Sequence, residues 1–377
     1  MSQAPLSEEL KQQTLKAYEE CGRNKTFAAR KLGVALSTFK SRYETATRGK
    51  IVGQLDGLVP DGQKLRGIST LYDRDGTPIM EWVKTKEDLD RTLEIIRESA
   101  LALVKEVPPA KPTKAPPAVK SDLLNLYVLT DYHLGMMAKA GESGTEWNTK
   151  KASDFILAWF DEAIKSAPDA EEAVLCQLGD FLHYDSLDAV TPTSRHLMDT
   201  DTRYSALVST AVFVLKEIVN KLLKKHKKLH ILMAEGNHDI ASSVWLRLLF
   251  SEFYRNEKRV TVDKTDNPYY AYQFGKTALF FHHGHKQKVQ GASKVFASIY
   301  RKMYGESDYS YAHMGDKHHS ESKEDGMMLV EQHPTLAPKD AYATRGGYVA
   351  NRAASVITYS RQYGEVSRVT VRPEMLR

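Results

Sequence analysis

Side chains of the kinds that bind metal ions recur after strand-like apolar runs in the second two thirds of the chain. The clearest run, LLNLYVLT at residues 123–130, has the length of a buried strand, and Asp131-Tyr132-His133 follow it directly. Polar loops at the carboxyl ends of successive strands converge on one edge of a sheet, so the pattern predicts an α/β fold with one shared site. Four further stretches carry similar residues, most of them after such runs: Gly179-Asp180 with His183, Gly236-Asn237-His238-Asp239, His282-His283-Gly284-His285, and His313 with Gly315-Asp316-Lys317-His318-His319.

The residue types in these stretches favour two divalent ions over one. A mixed set of carboxylates, imidazoles and an amide oxygen suits manganese, iron or zinc, and seven or more candidate ligands are too many for a single ion. Two ions roughly 3.5–4 Å apart are the usual device for in-line attack on a phosphate ester, since they generate a hydroxide nucleophile and hold the attacking and leaving oxygens. Asp131 and His133 alone would also fit an ordinary turn, and the other four stretches favour a site.

Over residues 121–377, the order Asp-x-His, Gly-Asp, Gly-Asn-His-Asp, His-Gly and Gly-x-x-His resembles the calcineurin-like metallophosphoesterase superfamily. The resemblance implies a two-sheet β-sandwich flanked by helices, with a hydroxide that bridges two metal ions as the nucleophile. It implies that His238 stabilises or protonates the leaving oxygen, which contributes about a hundred-fold or more in rate. The ligands that it implies are Asp131, His133, Asp180 (bridging) and His318 for the first ion, and Asn237 and His283 for the second.

The last stretch departs from the family pattern. The family has Gly-His-x-His at this point, whereas this chain has Gly315-Asp316-Lys317-His318. Asp316 can still give an oxygen to the second ion, but a harder, negatively charged ligand changes the metal preference, and Lys317 offsets part of the charge. We expect two divalent ions, with Mn²⁺ favoured and Fe²⁺, Zn²⁺ or Mg²⁺ as the alternatives.

Residues 1–48 have the pattern of three short helices around a small core that includes Phe39. The stretch FAARKLGVALSTFKSR resembles a DNA-binding helix-turn-helix, whose second helix would expose Ser37, Thr38, Lys40 and Arg42. Ten Lys or Arg residues against five Glu in residues 1–50 suit contact with phosphate. A small helical protein-binding domain is the alternative.

Residues 49–120 connect this module to the part of the chain that carries the site. Residues 69–72 and 79–84 predict a β-hairpin with Asp75-Gly76 in its turn. Residues 85–106 predict a charged helix that either packs on the hairpin or pairs with a second copy of the chain in a homodimer. Residues 107–120, rich in Pro, Ala and Lys, predict a semi-extended linker that lets the two ends move separately. The predicted domains are therefore 1–48, 49–106, the linker 107–120, and 121–377.

Three further side chains are candidate contacts to substrate. His183, three residues after Asp180, resembles a histidine that lies beside the substrate backbone in the repair-nuclease branch of the superfamily, and an ordinary loop histidine fits equally well. Arg195 and Arg203, in the polar segment 185–204, are candidates for gripping phosphate, with a plain surface loop as the alternative.

Together these features predict a metal-dependent phosphodiester hydrolase, specifically a nuclease acting on DNA held by the N-terminal module. The alternatives are a phosphatase or small-molecule phosphodiesterase, and a non-catalytic DNA-binding adaptor in which Asp316 has weakened the second metal site. A helix-turn-helix joined to such a domain resembles proteins of bacteriophages and prophages.

The sequence also indicates where such a protein would work. No apolar stretch has transmembrane length, and the polar start MSQAPLSEEL is unlike a signal peptide. We therefore expect a cytoplasmic protein with no membrane partner, in a bacterial host cell if it is phage-borne. The sequence does not identify a partner ATPase.

Overall fold

The chain forms two compact units, Met1–Ile95 and Ile96–Arg377, in the computed structural model. None of the helices in the described part of the chain is long and apolar enough to cross a membrane. The structure describes residues 6–55, 63–72, 78–87, 91, 94, 108–117, 120–192, 195–347, 349 and 351–376.

The first unit begins with three helices, α1 (Glu8–Glu20), α2 (Lys25–Lys31) and α3 (Leu36–Leu55). The Asn24 side chain starts α2 by accepting hydrogen bonds from the amides of Thr26 and Phe27. Ala17, Ala28, Ala29 and Phe39 form the buried core that the sequence predicts. Helix α3 continues past the predicted boundary at residue 48, because glycines such as Gly49 weaken a helix without necessarily ending it.

The predicted hairpin follows in the same unit. Strands β1 (Gln63–Tyr72) and β2 (Pro78–Glu87) pair antiparallel, with Ser69 opposite Trp82. Residues 85–87, predicted as the start of a helix, are strand instead because the ladder continues to residues 63–65. The turn at 73–77 lies outside the described residues, as does the remainder of the predicted helix apart from residues 91 and 94, which are helical.

Residues 108–117, at the centre of the predicted linker, lie on the second unit. They form no helix or strand, in agreement with their composition. However, the Ala110 amide donates to the Phe253 carbonyl (2.6 Å), and the Thr113 amide and hydroxyl donate to Glu257 Oε2 (2.6 and 2.9 Å). Arg259 Nη1 donates in turn to Thr113 Oγ1 (2.7 Å). Partners about 140 positions away in sequence therefore hold this part of the predicted semi-extended linker on the second unit.

Replacing Glu257 with Ala should release this segment. The substitution removes the acceptor of both Thr113 hydrogen bonds, and a loss of about 1–2 kcal/mol in local stability makes opening roughly 5–30 times more frequent. We expect correspondingly faster trypsin cleavage after Lys114, measured by mass spectrometry of the fragments. Glu252→Ala, which removes a half-buried carboxylate paired with Arg255, is the control, and equal cleavage rates in the two variants would contradict the binding of this segment to the second unit.

The larger sheet of the second unit has the strand order β13-β12-β3-β4-β5-β6. The four strands from β3 to β6 run parallel to one another. On the other side of β3, β12 pairs antiparallel with β3, and β13 pairs antiparallel with β12. Parallel strands buried on both faces read as continuous apolar runs, which is why residues 123–130 were recognisable as a strand. The strands are β3 (Lys120–Leu129), β4 (Ala170–Gln177), β5 (Lys228–Met233), β6 (Val260–Val262), β12 (Ala354–Ser360) and β13 (Gly364–Val371).

The smaller sheet has the order β10-β11-β9-β8-β7. Its central strands β8, β9 and β11 are parallel, and the outer strands β7 and β10 are antiparallel to their neighbours. These strands are β7 (Tyr270–Phe274), β8 (Thr277–His282), β9 (Tyr309–Met314), β10 (Glu321–Glu324) and β11 (Leu329–Gln332).

The two sheets stack face to face with helices on the outside, which confirms the predicted sandwich. Side chains such as Val128, Cys176 and Phe281 fill the space between the sheets. Trp159 and Leu215, on two outer helices, cover the larger sheet, and the helix Val289–Ile299 covers the smaller one. The helices are α4 (Ala140–Ser143), α5 (Thr149–Ser166), α6 (Tyr204–Lys225), α7 (Ile240–Phe253), α8 (Val289–Ile299), α9 (Arg301–Glu306) and α10 (Ala341–Arg345).

Both sheets contribute to the edge where the ligand-type residues lie. Strands β3, β4 and β5 of the larger sheet lead into the Asp131, Asp180 and Asn237 loops, whereas β8 and β9 of the smaller sheet lead into the His283 and Asp316 loops. The expectation of a single sheet edge is therefore corrected to the joint edge of two stacked sheets. The sequence pattern of single strands cannot distinguish one sheet from two, because the loops follow the carboxyl ends of strands in either arrangement.

Candidate metal centre

Five predicted ligands adopt a backbone conformation that non-glycine residues rarely use. Of the seven non-glycine residues with positive φ in the described ranges, the other two are Arg23 and Arg195. Such conformations cost of order 1–3 kcal/mol each and persist only where the surroundings impose them, which is typical of functional sites. The five ligands and their φ values are Asp131 (51°), His133 (51°), Asp180 (52°), Asp316 (72°) and His318 (59°).

Asp131, His133 and His318 form one group that could hold a metal ion. Asp131 Oδ1 lies 3.2 Å from His318 Nε2, and the Nε2 atoms of His133 and His318 lie 3.4 Å apart. The three side chains come from loops separated by up to 187 residues in sequence. Their converging oxygen and nitrogen atoms fit the ligand set of the first ion.

A second group surrounds the buried imidazole of His283. Its Nε2 atom lies 3.2 Å from Asp180 Oδ2, 3.3 Å from Asn237 Oδ1 and 3.8 Å from Asp316 Oδ1. The other ring nitrogen, Nδ1, donates to the Leu178 carbonyl (2.8 Å). A carbonyl only accepts, so this bond fixes the tautomer and leaves the Nε2 lone pair for a cation, the usual arrangement of a metal-binding histidine.

Asp131 belongs to both groups. Its Oδ1 atom is 4.0 Å from His283 Nε2 as well as 3.2 Å from His318 Nε2, whereas Asp180 belongs with Asp131 and His283 only. The bridging role of Asp180 stays a prediction, and the geometry adds Asp131 as a carboxylate shared by both ligand groups.

Several contacts that the sequence did not indicate hold Asp131 in place. Its Oδ2 atom accepts hydrogen bonds from Thr130 Oγ1 (2.5 Å) and from the Asp316 amide (2.9 Å), and its carbonyl accepts from Thr335 Oγ1 (2.6 Å). Gly315 is required beside it, because a Cβ there would lie 1.9 Å from Thr130 Oγ1. These contacts join loops of both sheets and leave Oδ1 facing the imidazoles.

The electrostatics of the two groups fit cations. Burial raises the pKa of Asp131, but the imidazoles of His318 and His283 outweigh it and bring the pKa to about 2. Burial lowers the pKa of His283, but the Asp180 and Asp131 carboxylates raise it to about 10. Burial keeps the pKa of His133 well below its usual range, so this ring is a neutral donor. In the absence of metal, protonated imidazoles stabilise the charge of these buried carboxylates. Divalent ions can supply this positive charge instead of the protons on the imidazoles.

His238 lies outside the first group but forms a further candidate group with His133 and His183. Its ring centroid is 4.7 Å from that of His133, and its amide donates to Asp180 Oδ1 (2.8 Å). Its Nδ1 atom donates to the His183 carbonyl (2.9 Å), which directs Nε2 away from that bond. His183 is buried, and its ring centroid is 5.9 Å from that of His238. The histidine predicted to act on the leaving group is thus oriented by its own contacts.

Replacing His238 with Ala should slow cleavage according to the leaving group. A general acid matters most when the leaving oxygen is a poor anion, so we expect a loss of about a hundred-fold or more in kcat on DNA. The loss on bis-p-nitrophenyl phosphate should be smaller, because p-nitrophenolate leaves without a proton. Metal content, measured by mass spectrometry, should stay that of the wild type. Equal losses on both substrates would contradict the general-acid role.

Asp239, which the motif contains without a predicted role, holds two of the loops together. This buried carboxylate accepts hydrogen bonds from the amides of Asp180 (3.1 Å), Phe181 (2.7 Å), Leu182 (3.1 Å) and Gly236 (3.0 Å). Gly236 allows its loop to lie directly against Asp180, because a Cβ at this position would lie 2.0 Å from Asp180 Oδ1. Asp239 is therefore a positioning residue for Asp180.

Asp185 similarly fixes the helix that follows the Asn237 loop. Its carboxylate accepts from the amides of Ala241 (2.6 Å) and Ser242 (2.8 Å) and from the Ser242 hydroxyl. The two amides lie at the start of α7, where backbone N–H groups have no partner within the helix. The residue before α7 forms no side-chain cap, so Asp185 takes that role. The contact ties the segment that begins at residue 185 to the loop that carries His238.

The structure separates the remaining histidines from the ligand groups. His282 stacks on Tyr269, and its Nδ1 accepts from the Gly284 amide (2.8 Å). His285 lies beside His283, with ring centroids 5.5 Å apart. His313 bonds to His333 (2.9 Å) and Tyr359 (3.1 Å) between the sheets, and His319 is exposed. None of these four belongs to either group at the site.

The predicted phosphate and DNA contacts lie outside the metal groups. Arg195 and Arg203 are exposed, and the Arg195 guanidinium lies 3.9 Å from Asp188. In the first unit, Ser37, Thr38 and Lys40 are exposed on the first turns of α3 and Arg42 is half-buried. Their roles remain predictions.

Known structures resemble the chain only distantly. An archaeal phosphodiesterase is similar at a TM-score of 0.34 and 12% identity, over 66% of this chain and 99% of that one. An uncharacterized protein from Streptococcus pneumoniae, described as a predicted phosphoesterase, is similar at a TM-score of 0.27 and 10% identity, over 68% of this chain and 99% of that one. Vps29 from Entamoeba histolytica, complexed with zinc, is similar at a TM-score of 0.27 and 10% identity, over 67% of this chain and 99% of that one. No protein-family model and no curated protein matches the sequence.

Proposed function

We propose that this chain is a divalent-metal phosphodiester hydrolase of the calcineurin-like metallophosphoesterase superfamily that acts on DNA. The observation that carries the proposal is the pair of ligand groups joined at Asp131, with the imidazole of His238 next to them. Two carboxylate-and-imidazole groups that share Asp131 suit a two-ion site for phosphate chemistry.

Each group of residues has a defined part in this proposal. Divalent ions bound there would supply Lewis-acid stabilisation of the phosphate charge and would activate water. Asp131, held by Thr130 and Thr335, keeps the two groups in register. His238 binds the His183 carbonyl through Nδ1, so its Nε2 can stabilise or protonate the leaving oxygen.

DNA is the substrate that accounts for the first unit. Its three-helix core places α3 after a short turn, with Ser37, Thr38 and Lys40 exposed at the start of that helix. Polar and basic side chains at this position suit contacts with base edges and phosphates. A phosphodiesterase for small esters would have no evident use for such a surface.

The test compares cleavage of end-labelled linear DNA and closed circular DNA with Mn²⁺, with Mg²⁺ and after chelation. The wild type should cut DNA only with metal, and Asp180→Ala and His238→Ala should both abolish or strongly reduce cutting. Asp188→Asn, which changes an exposed carboxylate in the segment 185–204, is the control and should cut like the wild type. Hydrolysis of bis-p-nitrophenyl phosphate without any cutting of DNA would favour the small-ester phosphodiesterase, and no hydrolysis of either would favour the adaptor.

A further inference from the structure

Two loops that carry ligands bring three lysines to one side of the metal centre. The Gly315 amide donates to the His283 carbonyl (2.6 Å), and a Cβ on Gly284 would lie 2.7 Å from the Gly315 carbonyl oxygen. The loops after β8 and β9 therefore lie directly against each other. The first continues into Lys286 and Lys288, and the second carries Lys317.

This side of the centre is rich in positive charge. From residue 277 to residue 305 the chain has five Lys or Arg residues and no Asp or Glu. Lys286 and Lys288 are exposed and form no ion pair with a described residue. Lys317 pairs with Asp316 (2.5 Å). Other acidic groups near this side are Glu235, Asp266, Glu321 and Asp325; Glu321 accepts from Gln290 (2.6 Å), and Asp325 accepts from the Ser293 hydroxyl.

The segment on the other side of the centre has the opposite charge balance. Residues 185–204 contain four Asp against two Arg, and Arg195 lies 3.9 Å from Asp188. The Asp185 contact with α7 and the bond from the Met137 amide to the Asp199 carbonyl (3.0 Å) hold this segment near His238 and His133. The formal charge of this segment is therefore negative, whereas that of residues 277–305 is positive.

We infer that Lys286 and Lys288 form a binding surface for the phosphates that flank the cleaved bond of a nucleic acid. The inference rests on the proposed function and adds the path of the substrate, which leaves the metal centre over the start of α8 instead of along Arg195 and Arg203. A lysine on a flexible stem suits this use, because it contacts phosphate as a point charge without a fixed geometry. A small diester carries no flanking phosphate for these lysines to contact.

The experiment measures kcat/KM for cleavage of a labelled linear duplex between 50 and 300 mM NaCl. It compares the wild type, Lys286→Gln/Lys288→Gln, Arg195→Gln/Arg203→Gln, and a control, Lys224→Gln/Lys258→Gln. The control removes two exposed lysines near the starts of β5 and β6, at the sheet edge opposite the site. Each variant is also assayed on bis-p-nitrophenyl phosphate, which reports whether the metal centre is intact.

We expect a shallower salt dependence for the Lys286/Lys288 variant alone. The slope of log(kcat/KM) against log[NaCl] should fall by roughly 1.8, about 0.9 for each lost phosphate contact, through a higher KM. Turnover of bis-p-nitrophenyl phosphate should stay within about two-fold. An unchanged slope, a change in the Arg195/Arg203 variant instead, or an equal loss on the small diester would overturn the inference while DNA cleavage by the wild type still supports the function. A wild type that hydrolyses the diester but no DNA would contradict both.

Discussion

Asp131→Asn should reduce metal binding to less than one ion per chain and slow hydrolysis of bis-p-nitrophenyl phosphate by about a thousand-fold or more. The asparagine oxygen can still accept the Asp316 amide, so the loop keeps its shape while the shared negative charge is lost. Asp131 lies in both ligand groups, and the metal ions are worth several kcal/mol of transition-state stabilisation, where each 1.36 kcal/mol is a factor of ten in rate.

Asp316→Asn is the matched comparison for Asp131→Asn. The Asp316 carboxylate lies 3.8 Å from His283 Nε2, so this variant should lose the ion of the His283 group first and retain an ion in the group of His133 and His318. Ions are counted by mass spectrometry after dialysis, and circular dichroism checks that both variants fold. Two ions per chain in Asp131→Asn, or identical losses in the two variants, would contradict the shared position of Asp131.

Asp239→Ala should lower the free energy of unfolding of the second unit by about 3–5 kcal/mol. The substitution leaves four buried amides without an acceptor, and each buried unsatisfied donor costs about 1–3 kcal/mol before the loops relax. Asp239→Asn keeps one acceptor oxygen and should cost less, roughly 1–3 kcal/mol. The Asp180 loop loses its support in both variants, so metal affinity should fall in the same order.

A Trp82→Phe background makes this measurement specific to the second unit. The remaining tryptophans, Trp147, Trp159 and Trp245, all lie in that unit, so their fluorescence in urea reports its unfolding alone. Asp188→Asn, at an exposed carboxylate, should stay within about 0.5 kcal/mol of the background. A loss in Asp239→Ala no larger than in this control would contradict the role of Asp239.

The residues that converge at the site could be found in the sequence because each follows a strand with a strong local signal. Apolar runs such as residues 123–130 predict the parallel strands, and parallel strands place their following loops at the same edge. The three-helix core around Phe39 was equally visible, since its apolar positions follow the helical period.

The supporting contacts could not be predicted, because they join residues that are far apart in sequence. Thr335 holds Asp131 across 204 positions, and Thr113 binds Glu257 across 144. No local pattern distinguishes such a threonine from a solvent-exposed one. The motifs did not reveal that both sheets carry ligand loops, because loops at the carboxyl ends of strands show the same pattern in one sheet as in two. They also did not reveal that Asp239 supports Asp180.

The most direct test of the central claim is the titration of the chelator-stripped chain with Mn²⁺ in a calorimeter, with hydrolysis of bis-p-nitrophenyl phosphate followed in parallel. The two ligand groups predict two ions per chain and hydrolysis that rises as the second ion binds. Binding of one ion without hydrolysis at any Mn²⁺ concentration would contradict a two-ion phosphodiesterase and would favour the non-catalytic adaptor.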